Sequence, residues 1–404
     1  IALAIALMIG DGCAAHLSLC LGRKDQEEAS KSVGNAVVFT VVISLIMTGI
    51  FFAGRETILQ AFGATENNVE YAREYFIFIA AGIPFYMFTN AMNSVIRADG
   101  SPAFAMISTL IGCALNMILD PVAIFVLHWG VAGAAIATIT GQIVTAVLAA
   151  WYLLHTKSFK LRKSSFGLHL KELKGFLPLG ISSFLTQLSI VVIMGVMNNT
   201  LVKYGAMSKY GADIPMTVVG IVMKVFQIVI AFVIGIAAGC QPIVGFNYGA
   251  GHHHRVKEIY LTMMKAELVV GIIAMVAMEG FPMQIIGIFG SESALYNEFA
   301  VLAFRTYMIT IVFCCIQKAT SVFLQALGRP VLSLSLSLLR DFVISVPAVL
   351  LLPRYLGVTG ALWSAPVADL ISMVAVLLMM RVAWSDLSEN AEELKGREKK
   401  VIAN

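Results

Sequence analysis

The sequence predicts an all-α integral membrane protein of two pseudo-symmetric six-helix lobes, and three observations predict it. The chain is 59% hydrophobic and 13% charged, with a mean hydropathy of +0.85. A soluble domain carries roughly 25% charge, so lipid must cover much of this surface. Ten apolar runs are long enough to cross a bilayer, and a partial one over 1–21 makes eleven. Most are continuous rather than alternating, which favours helices over a β-barrel. The third observation is an internal repeat. Ala98-Asp99-Gly100-Ser101-Pro102 and Gly130-Val131-Ala132-Gly133-Ala134 return as Ala326-Leu327-Gly328-Arg329-Pro330 and Gly357-Val358-Thr359-Gly360-Ala361, offset by 228 and 227 residues. Phe62-Gly63 returns as Phe289-Gly290 at an offset of 227, and Gly10 and Gly22 return as Gly239 and Gly251 at 229. A duplicated helix bundle with the substrate path between its halves is the plan of many transporters.

In order, the runs cover 1–21, 33–54, 74–96, 103–127, 131–154, 175–199, 213–239, 257–281, 299–326, 331–352 and 358–384. Gly100-Ser101-Pro102, Gly130, Gly328-Arg329-Pro330, Pro353 and Gly357 punctuate them as turns. The second half begins near Lys174, so the repeat puts the start of the first half about fifty residues before residue 1, roughly one helix and part of the next. The first helix and part of the second are therefore expected to be missing, with 1–21 a partial span. The domain plan is an N-terminal lobe over 1–154, a basic cytoplasmic linker over 155–174, a C-terminal lobe over 175–385, and a charged cytoplasmic tail over 386–404, read as a frayed amphipathic helix. Eighteen of the 28 Lys and Arg fall on the side that holds the linker and the tail, and six on the other. By the positive-inside rule the first side is cytoplasmic, and both termini of the complete protein are expected there.

Several chemistries lack their sequence marks. The six cysteines form no CxxC pair, so neither a zinc site nor a disulfide framework is expected. No HExxH, GxSxG or dense intramembrane His/Asp cluster points to an enzyme, and no filter-like repeat points to a channel. His252-His253-His254 reads as a solvated loop, because adjacent histidines diverge and make poor joint ligands.

Ionisable residues inside spans are costly and mark candidate sites. In the first half Asp120 is such an acid. Asn116 precedes it by four residues and shares its helix face. Pro121 removes a backbone donor and frees a carbonyl, and Thr138 sits at matched depth on the next helix. A carboxylate, an amide oxygen and a hydroxyl there can coordinate Na⁺, or the carboxylate can carry a proton; the plainer role is polar glue between helices. The second half holds Lys224, Lys318, Arg340, Asp341 and Asp369, and Arg340–Asp369 or Lys318–Asp369 is expected as an intramembrane ion pair. Phe184, Met194, Met197, Met223, Phe226 and Gln227 form a candidate substrate wall, since methionine adapts to irregular ligands and aromatic rings stack on cations; ordinary packing is the alternative.

At these residues the chain resembles the multidrug and toxic compound extrusion (MATE) family. Gly239 through Gly251 looks like that family's loop after the second helix of the second lobe, with Gly10 through Gly22 as its counterpart. Ile96 through Pro102 and Leu324 through Pro330 look like its paired motifs between the fourth and fifth helices of each lobe. The resemblance implies twelve helices in two lobes forming a V, and secondary active export of organic cations or other amphipaths against Na⁺ or H⁺. In prokaryotic members a cation site combines a first-helix acid with an Asn and an Asp on the fifth helix and a Thr on the sixth; Asn116, Asp120 and Thr138 match the last three. The expected partners are small drug-like molecules and membrane lipid, with no nucleic acid and no cofactor beyond the coupling ion, for a monomer in the cell membrane. The rival reading is a flippase for lipid-linked oligosaccharides on a related two-lobed fold, which needs a strongly cationic cavity.

Overall fold

The computed structural model describes residues 1–61, 69–290 and 293–402, with side chains described as far as residue 385 except at 60 and 61. Every regular element among them is helical. The first-half Phe62-Gly63 motif and the side chains of the tail lie outside the described residues.

Contacts divide the chain into two compact units, Ile1–Phe184 and Leu185–Asn404. In the first, α1 (Ala2–Gly22), α2 (Gln26–Ala53), the short α3 (Arg55–Ala61), α4 (Val69–Ala98), α5 (Pro102–Pro121) and α6 (Gly130–Leu153) follow one another. Then α7 (Leu170–Ala206) runs from the first unit into the second. The second unit continues with α8 (Asp213–Gly249), α9 (His253–Gly280), α10 (Pro282–Phe289), α11 (Ala294–Met308) and α12 (Ile311–Ala326). It ends with α13 (Pro330–Leu338), α14 (Val346–Leu351), α15 (Pro353–Leu356) and α16 (Val358–Ile402). Among the described residues ten helices are long and apolar enough to cross a membrane, or eleven if α11 and α12, bent by 43° at their junction, count as one span. These eleven coincide with the eleven apolar runs. The first run, expected to be partial, is a 21-residue helix, about 31 Å long at 1.5 Å per residue and sufficient to cross by itself.

Four helix ends show how the repeat is built. Asp25 N–H reaches the Cys20 carbonyl (2.9 Å) and Lys24 N–H that of Leu21 (3.1 Å). The same pair of bonds closes α4 at Ser101→Ile96 and Gly100→Arg97, α8 at His252→Asn247 and Gly251→Tyr248, and α12 at Arg329→Leu324 and Gly328→Gln325. This is the Schellman motif, whose pivot residue is left-handed. The pivots Gly100, Gly251 and Gly328 have φ of 78°, 79° and 72°. In the α1 turn the pivot is Lys24, at φ 62°, 227 residues before Gly251. Gly22, the sequence-level partner of Gly251, is an ordinary helical residue of α1. Proline then starts the next helix at Pro102 and Pro330, where its missing N–H leaves no bond broken.

The segment between α6 and α7 is docked rather than loose. Ser30 donates to the Lys160 carbonyl (2.8 Å), Asn35 accepts from His169 N–H (2.7 Å), and Phe159 is buried. Any side chain at Gly34 would strike the Ser165 carbonyl. Asp99 secures the same segment, accepting from the Tyr152 hydroxyl and from the N–H groups of Lys157 and Ser158 at 2.8–2.9 Å. His253, expected in a solvated loop, instead begins α9, buried and edge-on to Tyr248 at 5.6 Å.

Candidate functional site

In the first unit, α5 and α6 approach through facing glycines. A Cβ on Gly112 would lie 2.8 Å from the Gly141 carbonyl oxygen, and one on Gly141 would lie 2.5 Å from that of Gly112. Small residues let backbones meet in a membrane, and here they bring Asn116 against Thr138. The Asn116 amide nitrogen lies 3.2 Å from both Asp120 Oδ1 and Thr138 Oγ1, while the Thr138 hydroxyl donates to the Ala134 carbonyl (3.0 Å). The three sequence-selected residues are thus one hydrogen-bonded group. Immediately after Asp120 and Pro121 the helix widens into a π-helical turn, Val122–Val126, closed by Leu127 N–H to the Val122 carbonyl. Such turns often occur at functional sites. No basic side chain pairs with Asp120 among the described residues.

Asn116 and Thr138 also line a cavity of about 260 Å³ with Tyr86, Thr89, Asn90, Asn93, Gln142 and Thr145. Its polar lining is wholly uncharged. Thr89 Oγ1 and Asn93 Oδ1 are buried there without hydrogen-bond partners, an arrangement that favours water or a polar ligand group.

The second unit is chemically different. A cavity of about 230 Å³ is lined by Met194, Met197, Met223, Phe226 and Gln227, with Tyr307, Lys318, Arg340 and Asp341. Five of the six residues selected as a substrate wall therefore share one cavity. Phe184 ends the first unit and is absent from the lining; Lys224 is exposed. The ionisable residues form a chain. Lys318 Nζ lies 2.8 Å from Asp341 Oδ2, Arg340 Nη1 2.8 Å from Asp341 Oδ1, and Arg340 Nε and Nη2 2.9 and 2.8 Å from Asp369 Oδ1. The Thr310 hydroxyl donates to Asp369 Oδ2 at 2.8 Å. Of the two pairs expected, Arg340–Asp369 is present, whereas Lys318 pairs with Asp341. Arg340 and Asp341 sit in a second π-helical turn, Leu339–Ser345. All four charged residues are at least 91% buried.

The repeat aligns the two sites. Offsets of 227 and 228 set Arg340 against Cys113, Asp369 against Gln142 and Lys318 against Asn90. Charged residues in one unit thus replace neutral ones at the polar cavity of the other.

Two further acids lie near the middle of apolar runs, where sequence reasoning passed them over. Asp11 in α1 accepts from Ser94 (2.7 Å) and Ser183 (2.9 Å), with Arg97 at 3.9 Å. Glu267 in α9 is fully buried, and neither carboxylate oxygen has a hydrogen-bond partner. The test that selected Asp120, an acid inside an apolar run, would have found both.

Eleven spans carrying internal cavities and buried ionisable groups define a multi-pass membrane protein of the transporter class. The sequence profile of the MatE family matches residues 1–122 and 180–351. The chain belongs to the MatE family. It is 23% identical over 395 residues to the multidrug export protein MepA of Staphylococcus aureus (strain MRSA252), covering 96% of this chain and 84% of that one. It is 24% identical over 393 residues to MepA of Staphylococcus saprophyticus, with the same coverage. Among solved structures, a MATE protein in complex with MaL6 superimposes with a TM-score of 0.89 at 24% identity, over 96% of this chain and 86% of that one. A MOP superfamily transporter from Pyrococcus furiosus gives 0.88 at 23%, with the same coverage.

Proposed function

We propose that the protein is a secondary active exporter of amphipathic, drug-like compounds, organic cations among them, driven by inward Na⁺ or H⁺ at Asp120. The observation that carries this reading is the group Asp120–Asn116–Thr138. It offers a carboxylate and a hydroxyl, each 3.2 Å from the Asn116 amide nitrogen, beside a π-helical turn and without a basic partner among the described residues. The amide nitrogen stands between two acceptors; rotating the amide by half a turn would present three oxygens to a cation, and protonating Asp120 would neutralise it directly. Either event removes an intramembrane charge, and export follows if ion and cargo favour different conformations. The staphylococcal relatives are multidrug export proteins, which supports the cargo class. So does the methionine- and aromatic-lined cavity of the second unit. The Lys and Arg distribution supports a cell-membrane protein with cytoplasmic termini and a 155–174 linker on that side. The reading requires neither a further cofactor nor a partner subunit.

A flippase for lipid-linked oligosaccharides is less well supported. Gripping a pyrophosphate needs cations with charge to spare, whereas Lys318 and Arg340 each already face carboxylates. The deciding experiment is dye efflux in proteoliposomes with Na⁺ and H⁺ gradients imposed separately. Asp120→Asn should leave folding intact and abolish gradient-driven efflux; wild-type rates in that variant would remove Asp120 from the mechanism.

A further inference from the structure

The geometry points to a binding site for a Zn²⁺-class divalent ion at the α1–α2 turn, held by His16, Cys20 and Glu28. His16 and Cys20 lie one turn apart on a single face of α1, and Glu28 comes from the first turn of α2. One donor atom from each lies within 4.8 Å of the other two. His16 Nε2 is 3.6 Å from Glu28 Oε1 and 3.9 Å from Cys20 Sγ. Donors bound tetrahedrally to zinc at roughly 2.0–2.3 Å stand roughly 3.3–3.8 Å apart, so the three side chains need to rotate, Cys20 most, to close on an ion.

Two features outside the donor set favour the same reading. His16 Nδ1 lies 3.1 Å from the Ser32 hydroxyl. With Nδ1–H donated to Ser32, Nε2 is left as the unprotonated ring nitrogen, the one beside Glu28, and a supporting hydrogen bond of this kind fixes the tautomer of metal-bound histidines; Cys20 Sγ, 3.6 Å from Nδ1 and 3.9 Å from Nε2, must swing round to join it. Space for the ring is also built in: a Cβ on Gly175 of α7 would lie 3.2 Å from Nε2. The thiolate–imidazole–carboxylate set suits Zn²⁺ better than the hard ions Mg²⁺ or Ca²⁺. Cys20 is buried while the Glu28 side chain is 41% exposed, so an ion enters from the Glu28 side and water completes the coordination. Binding releases the Cys20 thiol proton to solvent as the Zn–S bond forms, and ties the end of α1 to the start of α2 across the Lys24 pivot.

The test is a titration of the purified full chain with Co²⁺, read by thiolate-to-cobalt absorption, and with Zn²⁺, read by displacement of Co²⁺ and by the thermal midpoint. The wild type should show the absorption band and a Zn²⁺-dependent rise in midpoint. Cys20→Ser should lose the band. Glu28→Gln, at a half-exposed position that the fold tolerates, should weaken Zn²⁺ binding. Ser32→Ala should weaken it by about 10- to 100-fold, the usual effect of removing such a supporting bond. An absent band in the wild type, or unchanged affinity in folded Glu28→Gln and Ser32→Ala, overturns the site.

Discussion

At the scale of single residues, the chain Lys318–Asp341–Arg340–Asp369 has the most predictable energetics. Each charge is buried against an opposite one, so removing one member strands its neighbours. Arg340→Met leaves Asp369 and half of Asp341 uncompensated, and thermal unfolding in detergent should register a loss of about 3–5 kcal/mol. Arg340→Lys should recover little of it, because an ammonium cannot reproduce the guanidinium fork that spans two carboxylates. Glu267 presents the opposite case. Both its oxygens are buried without partners, so Glu267→Met should raise stability by about 1–3 kcal/mol in the same assay. The rarity of charge in a span made Asp120, Arg340 and Asp369 legible in the sequence. Which carboxylate Lys318 chooses was not legible. Asp341 and Asp369 are 28 residues apart, and only the packing of the π-helical turn against α16 decides between them.

At the scale of elements, apolar runs and turn residues located all eleven spans, because bilayer thickness fixes their length and Gly-X-Pro fixes their ends. The two π-helical turns escaped sequence reading. Pro121 and Pro347 mark a local disturbance, but widening of the helix depends on neighbours. The contact of α5 with α6 is equally a matter of pairing, since Gly112 and Gly141 are unremarkable until they face one another. Gly112→Leu should force these helices apart and separate Asn116 from Thr138. The expected result is a folded protein with gradient-driven efflux reduced at least as far as in Asp120→Asn, while Gly220→Ala, which meets open space, serves as a neutral control. The Lys24 pivot shows the limit of motif alignment: the backbone repeats its left-handed residue at an offset of 227 although the glycine itself does not.

At the scale of the whole molecule, duplication organises both units, and the charges have diverged between them. Neutral Asn90, Cys113 and Gln142 stand in one unit where Lys318, Arg340 and Asp369 stand in the other. The proposed topology is testable at this scale: Lys160→Cys should react with a membrane-impermeant maleimide in inverted vesicles and not in intact cells, and the reverse pattern would invert the orientation. The ionic chain also bears on energy supply. Two cations and two anions cancel, so the apolar cavity adds no net charge to its cargo. Under the proposed function, a monovalent organic cation leaving the cell would work alone against an inside-negative voltage, at about 2.3 kcal/mol per 100 mV. One Na⁺ or H⁺ moving inward per cycle would cancel that electrical work, making one-for-one exchange indifferent to voltage and leaving the chemical gradient of the ion to set how far the drug can be concentrated outside.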